Sequence, residues 1–253
     1  MHEALARLGT QLETDIGADG TLIAVSVLGR HTQRAMHLLA DVVARPALRE
    51  SDFDRVRQLR LHRLMQLRDV PGAVADRVFA RLVYGNHPYG HTPIGTEAAM
   101  GGLTADDVRA FHTGSIRPGL STLIAVGDCE HDAVCRDAAG AFGEWAGEVT
   151  AGDRSDAPLP QSSRFVVVPR PGAPQSELRI GHVAAARSTP DYHALVAANM
   201  VLGGQFVSRI NLNLREDKGF TYGARTAFDF RRQPGPFVLQ VSVQTSATAR
   251  AVA

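Results

Sequence analysis

The order of elements in the second half of the chain constrains its fold more than any other feature. Alternating apolar stretches read as strands at 164–169 and 176–183, and again at 222–230 and 236–243. Between them, residues 192–202 and 206–215 repeat apolar side chains at helical spacing. An order β-β-α-α-β-β gives this half a mixed character of strands and helices. Residues 231–235 read as the turn between the last two strands, and Gly203-Gly204 as the stop of the first helix.

The first half is also mixed. A short helix at 5–8 ends at Gly9, and strands at 12–16 and 22–28 flank the hairpin signal Gly17-Ala18-Asp19-Gly20. Helices are expected at 32–43, at 52–68 after Ser51, and at 72–84 between Pro71 and Gly85. Residues 86–97 read as a loop with Pro88, Gly90, Pro93 and Gly95. Thr104 followed by Asp107 marks a helix start, and a buried-type strand at 121–127 precedes a helix at 132–142. The polar stretch 150–163, with Gly152, Pro158 and Pro160, reads as an interdomain linker. The fold class is therefore α+β, with a first domain at 1–149 and a second at 164–253.

Charge excludes some partners. Lys+Arg total 27 against 26 Asp+Glu, a net charge of +1, which does not suggest a nucleic-acid partner. Arg55, Arg57, Arg60, Arg63 and Arg68 interleave with Asp52, Asp54 and Asp69 and have no aromatic platform, so they read as a solvated helix face. The longest apolar runs, such as 22–28 and 194–202, are too short for a transmembrane segment. Cys129 and Cys135 cannot build a disulfide framework, and no CxxC supports a redox role. Residues 1–8 start directly as an amphipathic helix and 244–253 begin another, so both ends read as cut from a longer protein.

Metal motifs fail on inspection. His2-Glu3 opens an HExxH pattern, but Ala6 stands where the second histidine belongs. No HxxEH occurs. His87 and His91 share a loop with only Glu97 nearby, so they read as ordinary loop residues rather than zinc ligands.

Four blocks taken together resemble the pitrilysin/insulinase family of zinc metallopeptidases. They are LLADVVARPAL from Leu39 with DFDR from Asp52; YGNHPYG from Tyr84 through GTE at Gly95; Leu103-Thr104 through Phe111-His112, with Arg117-Pro118 and then Val126-Gly127-Asp128; and LGGQFVSR from Leu202 with LREDKGFTYG from Leu214. The resemblance implies two α/β-roll domains with antiparallel-rich mixed sheets, joined by a linker, the second incomplete here. It also implies that pairs of such units close like a clamshell around a peptide. In that family HxxEH supplies two zinc ligands and a general base, and a glutamate on a later helix supplies the third ligand. By resemblance that helix is 52–68 and the ligand position falls at or near Arg63. No glutamate lies between Glu50 and Glu97, and Asp54 and Asp69 sit at the helix ends with a shorter reach.

The resemblance thus implies a non-catalytic, substrate-binding unit that binds no metal itself, with zinc held by a homologous partner unit, separate or in the same polypeptide. It carries the family's arginine and tyrosine, seven residues apart, onto Arg215 and Tyr222. Their implied task is to assist substrate binding and transition-state stabilisation across the cleft. The bound peptide is expected to add to a sheet edge. Two other readings stay open: a scaffold subunit without peptidase work, and an active peptidase whose HxxEH segment lies outside these residues.

Overall fold

A computed structural model describes residues 1–147, 158 and 162–253. The expected linker 150–163 falls largely outside the described residues. The chain forms two compact units, 1–62 with 96–153 and 63–95 with 154–253.

In the first unit, α1 (His2–Ala6) precedes the antiparallel hairpin β1 (Glu13–Ile16) and β2 (Thr21–Ala24). The Gly17 amide closes the hairpin on the Gly20 carbonyl at 2.9 Å. Helix α2 (Thr32–Val43) has the bounds its apolar spacing predicts. Helix α3 (Glu50–Arg68) starts two residues early, and its outer face is laced by Arg55–Asp52 and Arg57–Asp54 pairs at 3.4 and 3.1 Å. Helix α4 (Pro71–Tyr84), which belongs to the second unit, begins on its proline, which needs no amide partner in a first turn, and stops at Gly85 with φ +58°.

Beyond it, α5 (Glu97–Gly102) begins on the last residue of the expected loop and runs through residues that carried no expectation. The Thr96 hydroxyl accepts from the Ala99 amide at 3.2 Å and starts this helix, which two glycines end within two turns. Helix α6 (Ala105–Ser115) opens on the expected capping box. Hydrogen bonds from the Thr104 hydroxyl (2.6 Å) and then its amide (2.8 Å) hold the Asp107 carboxyl below the usual carboxylate range. Helix α7 (His131–Phe142) packs on α2 through Met36, Ala40 and Ala141, with Val134 and Phe142 alongside.

Two expected strands do not form. Residues 121–127 and 164–169 join no ladder among the described residues, and Val126 and Phe165 are 94% and 84% exposed. Apolar composition marks a segment suited to burial in a sheet, but a ladder also requires a neighbour for its amides and carbonyls. Neither segment pairs with a described strand.

In the second unit, β3 (Gln175–Val183), β4 (Ala224–Phe228) and β5 (Pro236–Gln244) form an antiparallel sheet in the order β3-β5-β4. One face carries Leu178, Ala224, Leu239, Val241 and Val243 against Ile210, Leu214 and Phe220, making the unit's core. Above it, α8 (Tyr192–Asn199) runs into a π-helical turn, Met200–Gly204, and α9 (Arg209–Asn211) into another, Leu212–Asp217. Helix α4 covers β3 on the opposite face. The Arg179 guanidinium reaches Asp76 at 2.6 Å and Glu177 at 3.0 Å, and Phe79 and Val83 pack with Val183. These contacts explain why residues 63–95 group with the second unit. The chain ends in the short helix α10 (Thr248–Val252).

The His87 loop is tied to the β4–β5 turn. His87 Nε2 lies 2.9 Å from Gln233 Oε1, and His87 Nδ1 accepts from the Tyr89 amide at 3.0 Å. Arg231 lies over Tyr89 and Tyr84 at 4.6 and 5.6 Å. Burial pushes the Tyr84 phenol well above the ordinary tyrosine value, although Arg231 pulls against it. The unfolded phenol ionises near pH ~10 while the folded one stays protonated, so this contribution to stability is complete below that pH and declines as pH rises through it. Urea midpoints at about pH 9 and 11 are therefore expected to fall more steeply for the native chain than for Tyr84→Phe.

Candidate functional site

The C-terminal end of the second π-helical turn carries Arg215. That helix closes with the Gly219 amide on the Arg215 carbonyl at 3.1 Å and the Phe220 amide on the Leu214 carbonyl at 2.9 Å. Gly219 takes φ +63°, a conformation that glycine adopts without strain, so the expected glycine turn is present. The Arg215 guanidinium stacks 4.2 Å over the Phe206 ring. Its Nη1 stands 3.1 Å from Glu216 Oε1. That contact is an ion pair off hydrogen-bond geometry, and the buried Nη1 has no hydrogen-bond acceptor among the described residues.

Tyr222 lies on the far side of the same glycine turn. It precedes β4 rather than belonging to a strand, because the ladder begins at Ala224. The Thr221 hydroxyl donates to the Gly223 carbonyl at 3.0 Å and accepts from the Gly223 amide at 3.1 Å, fixing the turn on which Tyr222 stands. The Tyr222 side chain is 91% exposed and makes no hydrogen bond among the described residues. Arg215 and Tyr222 are thus not bonded to each other. The fold holds one and projects the other from a shared bend.

Residues not singled out in the sequence build this corner. Asn211, 3% exposed, donates from Nδ2 to the Phe206 carbonyl at 2.6 Å and accepts at Oδ1 from the Ala224 amide at 2.9 Å. Asn199 donates to the Thr226 carbonyl at 3.2 Å and accepts from the Thr226 hydroxyl at 2.7 Å. The two asparagines cap outward backbone groups of β4. Gly203 ends its helix as expected, but its physical reason is close approach. A Cβ there would stand 2.8 Å from the Thr226 amide nitrogen. Asparagines inside otherwise apolar helical stretches were the available signal. A cavity of about 450 Å³ opens beside this corner, lined by Gly204, Phe206, Asn211, Arg225, Glu177 and Ser242 among others.

The metal-ligand positions read differently. Arg63 is exposed and donates to Gln66 Oε1 at 3.4 Å, and Asp54 is paired with Arg57. Among the described residues no group of three or more His, Cys, Asp or Glu side chains could hold a metal ion. The residues of α3 do not fit a catalytic zinc. No described helix is long and apolar enough to cross a membrane.

The family model described as the peptidase M16 inactive domain matches residues 102–253. The chain belongs to this family. An M16 inactive domain structure from Pseudomonas fluorescens superposes with a TM-score of 0.91 at 24% identity, over 99% of this chain and 62% of that one. Pitrilysin itself superposes with a TM-score of 0.70 at 17% identity, over 98% of this chain and 27% of that one. Among curated relatives, a protein of Mycobacterium bovis described as an uncharacterized zinc protease is 26% identical over 92% of this chain and 54% of its own length. The chain thus spans about half the length of the curated relatives it matches. The pitrilysin/insulinase resemblance read from the sequence holds, and residues 102–253 match the M16 inactive domain, whose α+β fold the chain shares.

Proposed function

We propose that this M16 unit is the substrate-binding half of a zinc-dependent metallopeptidase and completes the active site of a zinc-bearing homologous unit. The observation that carries the reading is the paired presentation of Arg215 and Tyr222 around the Gly219 turn. Arg215 Nη1 has the Glu216 carboxylate beside it but no hydrogen-bond acceptor among the described residues, which suits it to a peptide carbonyl. Tyr222 offers an unengaged phenol, suited to the oxyanion that forms as the scissile carbonyl turns tetrahedral. The partner unit supplies the metal, and with it the polarised carbonyl and the attacking water. In the same reading, residues 1–149 and 164–253 are the two α/β-roll domains and 150–163 the segment joining them.

Reconstitution tests this. The full-length chain and a zinc-bearing homologous unit are purified apart, then assayed alone and mixed on an extended fluorogenic peptide. Cleavage is expected to need both, with the zinc-bearing unit stimulated on addition of this chain and the two co-sedimenting. Peptide cleavage by this chain unaided, or a partner indifferent to its addition, overturns the reading.

A further inference from the structure

We propose that His131 and Cys135 form a surface chelate for a borderline-to-soft divalent cation, with Zn²⁺ and Cd²⁺ as its representatives. The two residues lie one turn apart on α7, where positions i and i+4 share a face. Both are exposed, and Cys135 is a free thiol. Cys135 Sγ stands 3.5 Å from His131 Nε2. Zinc–sulfur and zinc–nitrogen bonds of about 2.3 and 2.0–2.1 Å, meeting at a tetrahedral angle, place the two donor atoms about 3.5 Å apart. The donors therefore already stand at the bite of a tetrahedral ion.

The platform is fixed. Val134, Ala141 and Phe142 hold α7 on α2, while the chelating pair faces solvent. A thiolate and an imidazole select zinc-like ions over magnesium or calcium, which prefer all-oxygen shells. Binding replaces the thiol proton, and water fills the remaining positions. Two protein ligands make an exchangeable site, unlike the three-ligand centre of a catalytic zinc. The site does not depend on the role proposed for Arg215 and Tyr222.

Titrating the full chain with Cd²⁺, in a thiol-free reductant, tests the site through the thiolate-to-cadmium charge-transfer absorption. One saturable equivalent is expected, displaced by Zn²⁺. Cys135→Ser abolishes it, and His131→Gln weakens it by at least about tenfold, since even outer partners of ligands contribute that much. Cys129→Ser leaves it intact. These residues are exposed, so circular dichroism of the variants is expected to match the native chain. An undiminished band in Cys135→Ser, native affinity in His131→Gln, or loss in Cys129→Ser overturns the proposal.

Discussion

Tyr222→Phe lowers kcat of the assembled peptidase by about 10²–10³-fold and leaves KM within about twofold. That is the expected signature of losing one oxyanion donor that acts only in the transition state. The variant deletes a single oxygen from a side chain that is 91% exposed and bonded to nothing in the described fold, so folding and assembly are expected to be unchanged. Arg215→Ala follows a different pattern. Its guanidinium is suited to substrate carbonyls in ground and transition states alike, so KM rises along with the fall in kcat/KM. Steady-state kinetics on the mixed pair, with sedimentation to confirm assembly, separates the two. A Tyr222→Phe pair that turns over at the native rate removes the phenol from the mechanism while leaving M16 membership untouched.

Asn211→Ala destabilises the second unit by about 2–6 kcal/mol. The asparagine satisfies the Phe206 carbonyl with one end of its amide and the Ala224 amide with the other, at 2.6 and 2.9 Å. Alanine strands both, and a buried unsatisfied group costs about 1–3 kcal/mol. For a chain of this size each kcal/mol shifts Tm by about 2–4 °C, so a fall of about 4–24 °C is expected by circular dichroism. The loss carries into function, because the Phe206 segment is the one on which Arg215 stacks. Phe206→Ala removes that stack while keeping the Asn211 bonds, and it is expected to raise KM with a smaller loss of stability. A thermal shift of less than about 2 °C in Asn211→Ala means that water or a backbone shift satisfies both orphaned groups.

Local signals were readable where the physics is local. The apolar spacing of 32–43 matches α2 at both ends, and Thr104 with Asp107 forms the capping box its spacing predicts. Alternation at 176–183 and 236–243 identifies β3 and β5, which pair with each other along their length. The unformed strands at 121–127 and 164–169 show the limit of that signal. Alternation reports which face suits burial and says nothing about whether a neighbour stands alongside. The pattern of 222–230 predicts a strand that starts at Tyr222, yet the ladder starts two positions later, where Asn211 takes the Ala224 amide. Asn199, Asn211 and Phe206 carry no motif of their own. Their roles arise from pairings across 5 to 27 residues, which a local window does not contain. Arg215 and Tyr222 were located only through resemblance, since each reads alone as an ordinary helix-end cation and an ordinary aromatic.

The asparagines over β4 also give this small sheet a direction. Side-chain amides already occupy the hydrogen-bonding positions at Ala224 and Thr226, so a newcomer cannot zip onto that rim without first evicting the buried Asn211 and the half-buried Asn199. β3, at the other end of the order, has no second neighbour among the described residues. Any lengthening of the sheet, whether by more of this polypeptide or by a visiting segment, is therefore steered to one side, and runaway stacking of copies through the other is blocked at its first step.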